Sequence, residues 1–225
     1  VAPVLAASFT VAAGAKDTSS LTTSSFVVGA GDVLVVKVAS EGNTTVGGTP
    51  TSSGLTFTLL AESSAANNCW VGIWTAVIAA SASITVTSPW SGTGGFHSAT
   101  TERWSGAKLA ATPATNGTQT GSGAPSTTLT TVAANSVVSW ANGDWAANAP
   151  GTPAYRSSAT QEALDDHSTA DYVAYYAWQS AAAAGSQTMG LTAPAGQTWT
   201  LIGVEVQAGP LIPSPPSISQ YSSFH

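Results

Sequence analysis

The residues able to do acid–base or metal chemistry are few in this chain of 225 residues, which carries 11 acidic, 5 basic and 3 histidine side chains. The densest group is Asp165-Asp166-His167 with Asp171. A calcium ion needs several oxygens converging on it, and a loop bearing three carboxylates could supply them. No EF-hand-like spacing or glycine-rich repeat accompanies the group, so a solvated loop is the favoured reading and no metal is assigned. Glycoside hydrolysis needs two carboxylates facing one sugar bond. Glu102 is the least ordinary carboxylate: on a strand it shares a face with Trp104 while Arg103 points the other way, so any ion pair it makes needs a different partner. Glu205 shares a face with Gln207 and reads as solvent-exposed. Neither is paired with a second acid by spacing. A serine nucleophile needs a histidine backed by an acid; only His97, His167 and His225 exist, and no Gly-x-Ser-x-Gly elbow is present. The expectation is a protein that is not an enzyme, with no catalytic residue, no metal and no cofactor.

The aromatic residues are the remaining functional suspects. Trp90, Trp145 and Tyr155 fall in or beside loops, where exposed rings can stack on the apolar faces of sugars, and they are the glycan-contact candidates. Trp70, Trp74, Trp140 and Trp178 lie in apolar runs and read more simply as core or subunit-contact residues. In the run 68–78 both faces are apolar, with Trp70, Trp74 and Ile78 on one and Cys69, Val71, Ile73 and Val77 on the other. A sandwich strand turns one face to the core. The second face must meet a loop, another subunit or a ligand, which makes Trp70 and Trp74 subunit-contact candidates.

Composition narrows the partners. Charged residues are 7% of the chain, against about 25% in an average soluble domain. Such a surface suits a protein partly covered in an assembly, although the codon habit of a GC-rich genome accounts for it equally. The net charge is −6, and Lys16, Lys37, Arg103, Lys108 and Arg156 are scattered. Nucleic acid needs clustered cations to displace counterions, and an anionic membrane surface needs a polybasic patch; neither partner is expected. No run approaches the roughly 18 apolar residues of a membrane helix. Cys69 is the single cysteine and reads as a buried, inert thiol. Val1-Ala2-Pro3 lacks the basic start of a secretory signal. With no disulfide available, this points to assembly in a reducing cytoplasm.

The elements that must carry these residues are short β-branched and aromatic runs punctuated by Gly, Pro, Asn and Ser. Strands are predicted over 4–11, 21–28, 33–40, 55–62, 68–78, 83–88 and 98–104, then 127–132, 136–140, 154–162, 172–179, 187–192 and 199–207. Turns are predicted at Gly31-Asp32, Gly47-Gly48, Asn116-Gly117 and Asn142-Gly143. Residues 163–184 contain helix formers, but Tyr172, Val173, Tyr175 and Tyr176 favour a strand followed by a loop. The two halves echo each other at an offset of 104: Asp32-Val33-Leu34-Val35 with Ser136-Val137-Val138-Ser139, Trp74 with Trp178, and Ile84 with Thr188. Neither half can bury its apolar face alone, so the two are expected to close on each other as one antiparallel two-sheet sandwich over 1–208. The jelly roll, two interleaved Greek keys, suits such a repeat.

Residues 30–36 (AGDVLVV), 74–87 (WTAVIAASASITVT), 102–107 (ERWSGA), 125–144 (PSTTLTTVAANSVVSWANGD) and 199–207 (WTLIGVEVQ) together resemble a jelly-roll β-sandwich family of actinobacterial phage virion proteins and bacterial surface proteins. The WSGA stretch departs conservatively from the Tyr-Ser-Gly more usual there. The resemblance implies a virion structural part, a minor tail or capsid-decorating protein, located in the virion after assembly in the host cytoplasm. Its implied partners are other virion proteins and further copies of itself in a homo-oligomer. The alternative is a carbohydrate-binding or host-adhesion module that takes a host surface glycan. Residues 209–225, with Pro210, Pro213, Pro215 and Pro216, read as an extended arm whose Ile218, Tyr221 and Phe224 would anchor it on a neighbour.

Overall fold

The computed structural model describes residues 2–12, 20–41, 48–65, 69–89, 95–109, 116–145, 151–167 and 172–209. The first half supplies β1 (Val4–Ala12), β2 (Ser20–Thr22), β3 (Phe26–Val28), β4 (Val33–Glu41), β5 (Thr58–Ala65), β6 (Cys69–Val77), β7 (Ala82–Ile84), β8 (Thr87–Pro89) and β9 (His97–Ser105). The second supplies β10 (Ala107–Lys108), β11 (Asn116–Gly123), β12 (Ser126–Thr131), β13 (Ser136–Trp145), β14 (Ala154–Tyr155), β15 (Thr160–His167), β16 (Tyr172–Ala181), β17 (Gly185–Ala193) and β18 (Gln197–Ala208). Among the described residues the only helical element is a 3-10 turn at Arg156–Ser158. The chain is all-β and sandwich-like.

Each half builds its own antiparallel sheet. The first runs β1-β9-β4-β6-β5 and the second β11-β18-β13-β16-β15, with β10 also on β18. The strand orders correspond one for one, so the internal repeat is a repeat of topology as well as of residues. Val33 lies opposite Val77, and Val137 opposite Ser180. The offset of 104 therefore holds between β4 and β13 but is 103 between β6 and β16. A one-residue slip turns a side chain to the other face of a sheet. Trp74 accordingly faces outward with Leu34 and Val36, whereas Trp178 packs toward the inter-sheet core, edge-on to Trp104 with ring centroids 5.6 Å apart.

The two sheets pack face to face. Val33, Val35, Val71, Ile73 and Trp104 of the first meet Val137, Ala141, Tyr176, Ile202 and Val204 of the second. Their outer faces are apolar too, and the chain covers both. On the first sheet, the short pairs β2-β8 and β3-β7 bring Leu21, Phe26, Val28 and Ile84 over Trp70, Trp74, Val36 and Val38. On the second, β12-β17-β14 brings Leu129, Met189 and Leu191 over Trp140, Val173, Tyr175 and Leu201. This double cover is why all nine residues of β4 are buried.

Several sequence-based expectations are corrected. Asn142-Gly143 is not a turn but the middle of β13, paired on both sides, where Gly143 lies inward and a Cβ there would stand 3.5 Å from Cys69 Cβ and Val71 Cγ2. The glycine lets the two sheets approach. Asn116-Gly117 likewise opens β11, and a Cβ on Gly117 would stand 2.9 Å from Met189 Cε. The strand expected over 154–162 is broken by the 3-10 turn, and 163–167 continues as strand, while Ala182–Ala184 form the bend between β16 and β17. Gly47 lies outside the described residues, as do 210–225.

Trp70 and Trp74 meet over Gly72, their ring centroids 5.8 Å apart, and a Cβ on Gly72 would stand 2.3 Å from Trp70 Cη2 and 2.8 Å from Trp74 Cη2. Neither indole can retreat, because the short strands lie over them. Gly72→Ala is expected to cost about 1–3 kcal/mol through overpacking, read as a lower denaturant midpoint at unchanged slope. An unchanged midpoint would show that the outer layer is not packed as described.

Candidate functional site

The inter-sheet core contains a charged group. Alternation along β4 points Lys37 inward between Val35 and Ala39, and alternation along β9 does the same for Glu102 and Trp104. A third member arrives by an irregularity. The register of β15 against β16 shifts between Gln161 and Ala163, and this β-bulge turns Glu162 inward beside Ala163. Lys37 Nζ donates to Glu102 Oε1 at 2.6 Å and also to Glu162 Oε2. Glu102 further accepts from Trp104 Nε1 at 2.8 Å and from Ser139 Oγ, 2.7 and 2.9 Å from its two oxygens. Ser8 Oγ donates to Glu162 Oε1. The side chains of Lys37, Glu102 and Glu162 are 0%, 0% and 2% exposed, so the group is sealed.

Two carboxylates and one ammonium cannot balance if all are charged. Burial pushes the Glu102 carboxyl up to about 8, the charge of Glu162 adds to the rise, and Lys37 only partly offsets it. For Glu162, burial acts upward as well, but Lys37 and the hydrogen bonds it receives outweigh burial and hold it below the usual carboxylate range. Burial would lower Lys37, yet the two carboxylates raise it. At neutral pH the group is thus an ammonium, one carboxylate and one carboxylic acid, with no net charge.

A second polar group lies on the outer face of the second sheet. Asn142 and Tyr175 are cross-strand neighbours, and Asp144 stands one step along the same face, accepting from Gln197 Nε2 at 3.0 Å. Burial raises the Asp144 carboxyl from 3.8 to about 7, tempered by the nearby Tyr175 hydroxyl and by the hydrogen bond from Gln197. Tyr155 comes over this face with its ring 5.8 Å from Trp140. Among the described residues the amide of Asn142, Oδ1 of Asp144 and the hydroxyl of Tyr155 are buried without a partner. Trp140, Asn142 and Asp144 are all 0% exposed, so this group is closed to solvent.

The residues singled out from sequence are distributed as follows. Glu102 does have a partner other than Arg103, namely Lys37, while Arg103 pairs outward with Asp32 at 2.6 Å. Glu205 is not solvent-exposed: at 9% exposure it accepts the backbone N–H groups of Val132 and Ala133, each at 3.0 Å, and holds the turn between β12 and β13. Asp165-Asp166-His167 is the end of β15 rather than a loop; His167 Nε2 lies 3.1 Å from the buried Asp165, and its ring stacks on Phe96. Asp171 lies outside the described residues, among which no group of three potential ligands could hold a metal ion. Tyr155 and Trp145 are half-buried, and Trp90 lies outside the described residues, as do Ile218, Tyr221 and Phe224. Trp70 and Trp74, 2% and 3% exposed, have their second face covered by the chain itself. Lys37 and Glu162 were not anticipated.

No family profile, no curated protein and no solved structure matches the chain.

Asp144 gives a test of the outer-face group. The folded protein holds its proton more tightly than the unfolded chain, so this contribution to stability is complete at low pH and is lost as the pH rises from 3.8 through about 7. In Asp144→Asn the loss should vanish. The stability of the wild type relative to the variant is expected to fall by about 1 kcal/mol per pH unit across that window, measured by denaturant unfolding at stepped pH. Parallel profiles would show that Asp144 is ionised in the folded protein.

Proposed function

We propose that this chain is a non-enzymatic structural protein of a phage particle, a minor tail or capsid-decorating component, acting through contacts with its own copies and with other virion proteins. The resemblance of its strand and turn motifs to virion jelly-roll proteins supports this reading. So does the winding: in each half, the four strands β1-β9-β4-β6 or β11-β18-β13-β16 face the short pairs formed between them in sequence, a jelly-roll-like arrangement. The observation that carries the proposal is the edge formed by β1. Its nine residues, VLAASFTVA, include no charge and no proline, although edge strands are commonly blunted by both. Of the other edges, β5 has Glu62 and β15 has Glu162, Asp165 and Asp166, while β11 (NGTQTGSG) is free of charge and proline as β1 is. An uncharged edge of this length is suited to strand addition by a neighbour, and the proline-rich sequence of residues 209–225 suits an arm that would latch one.

A second reading is an adhesion module that takes a host surface glycan. Its ring candidates are Trp145 and Tyr155, both half-buried and so partly open to a sugar face.

Light scattering separates the two. The full chain is expected to form a defined oligomer that dissociates when residues 209–225 are removed or when Val4→Lys and Ala12→Lys charge the β1 edge. A monomer in every form would overturn the assembly proposal. Glycan-array binding abolished by Tyr155→Ala would favour the adhesion module; an array with no binding would exclude it.

A further inference from the structure

The sealed group of Lys37, Glu102 and Glu162 has more than the parts of an ion pair. An amine, a carboxyl group and a second carboxylate are in mutual hydrogen-bond contact, and two uncharged donors, Trp104 Nε1 and Ser139 Oγ, are fixed on the oxygens of Glu102. We propose that Lys37 and Glu102 condense to an intramolecular isopeptide bond, with Glu162 as the base, joining β4 to β9 covalently inside the sandwich.

The step balances without any co-reactant. Lys37 starts as an ammonium, Glu102 as a carboxylic acid and Glu162 as a carboxylate. Glu162 takes a proton from the ammonium, and the lone pair freed on Nζ attacks Cδ of Glu102. The carbonyl π bond opens, and the negative charge on its oxygen is met by the N–H of Trp104 and the O–H of Ser139, the arrangement that stabilises an acyl-transfer intermediate. Glu162 passes its proton to the departing hydroxyl, the C–O bond breaks and water leaves. The proton remaining in excess on nitrogen returns to Glu162. Ammonium, acid and carboxylate become amide, water and a protonated Glu162, with four protons and zero net charge on each side.

Three conditions favour this direction. The reacting atoms are held in contact by strands fixed in the register of two sheets, which replaces an encounter by a first-order step. The starting state keeps an ammonium and a carboxylate away from water, a costly arrangement, whereas the product is a neutral amide. The released water is lost to bulk during folding, and the amide it leaves lies in a core with 0% exposure at Lys37 and Glu102, where attack by water is slow. The retained proton on Glu102 at neutral pH keeps its carbon electrophilic. The reaction occurs once per chain during folding and turns over no substrate, so it stands independently of the assembly and adhesion readings.

The test is the intact mass of the denatured full-length chain. A mass lower than that of the sequence by one water, with a branched peptide linking Lys37 to Glu102 in the digest, is the expected result. A full mass overturns the proposal, and a branch at Glu162 overturns the assignment of acyl donor and base. In Glu162→Gln the full mass of the variant is expected, because the base is gone; loss of water there would remove Glu162 from the chemistry. The wild-type mass decides by itself, so a variant that fails to fold leaves the test standing.

Discussion

A sheet whose strands are apolar on both faces cannot rest with either face in water, and the rest of this molecule follows from that constraint. Leu34, Val36 and Val38 of β4 point one way, and Val33, Val35 and Ala39 the other. Burying one set against a second sheet leaves the other exposed, at roughly 25 cal/mol for every square ångström of apolar surface. Duplication of the chain supplies the second sheet. The segments between the main strands supply the covers. The result is four layers, sheet on sheet with a cover on each outer side, formed from one chain.

The periodic part of this was legible in the sequence. The two apolar faces of 68–78 required a second cover, and the structure provides it from β2, β3 and β7 rather than from outside. The repeat was legible as well, but Trp74 and Trp178 look equivalent in sequence and face opposite ways, because equal residues in strings do not fix register when one strand has slipped by one. Asn-Gly pairs misled for a related reason. That dipeptide favours a tight turn when the chain is free to choose, yet strands on both sides of β13 hold Asn142-Gly143 extended, and Gly143 serves close packing instead.

The charged group was half legible. Glu102 was conspicuous because a carboxylate shared a face with Trp104, and that face is indeed the core. Lys37 gave no signal: a lysine in VLVVKVAS looks like the solvent side of a half-buried strand until both faces are known to be covered. Glu162 could not be read at all, since alternation places it outward and only the bulge turns it in. Glu205 failed in the opposite sense. Its polar neighbour Gln207 suggested a wet face, while the turn after β12 folds over it and presents two N–H groups.

Sequestration of charge bears on how the molecule meets its surroundings. Asp32, Glu41, Glu102, Asp144, Asp165 and Glu205 are buried, and Glu162 is 2% exposed at its side chain. Most of the chain's 11 acidic residues are therefore committed to internal contacts, together with Lys37, and Arg103 is tied to Asp32. The outer surface carries even less charge than the composition suggests. Long-range repulsion, which keeps ordinary soluble domains apart, is correspondingly weak here. Approach of another molecule is then decided at short range, by shape, by backbone hydrogen bonds and by small polar side chains. The β1 and β11 edges, free of charge and proline, are features of this surface on which such short-range terms can act.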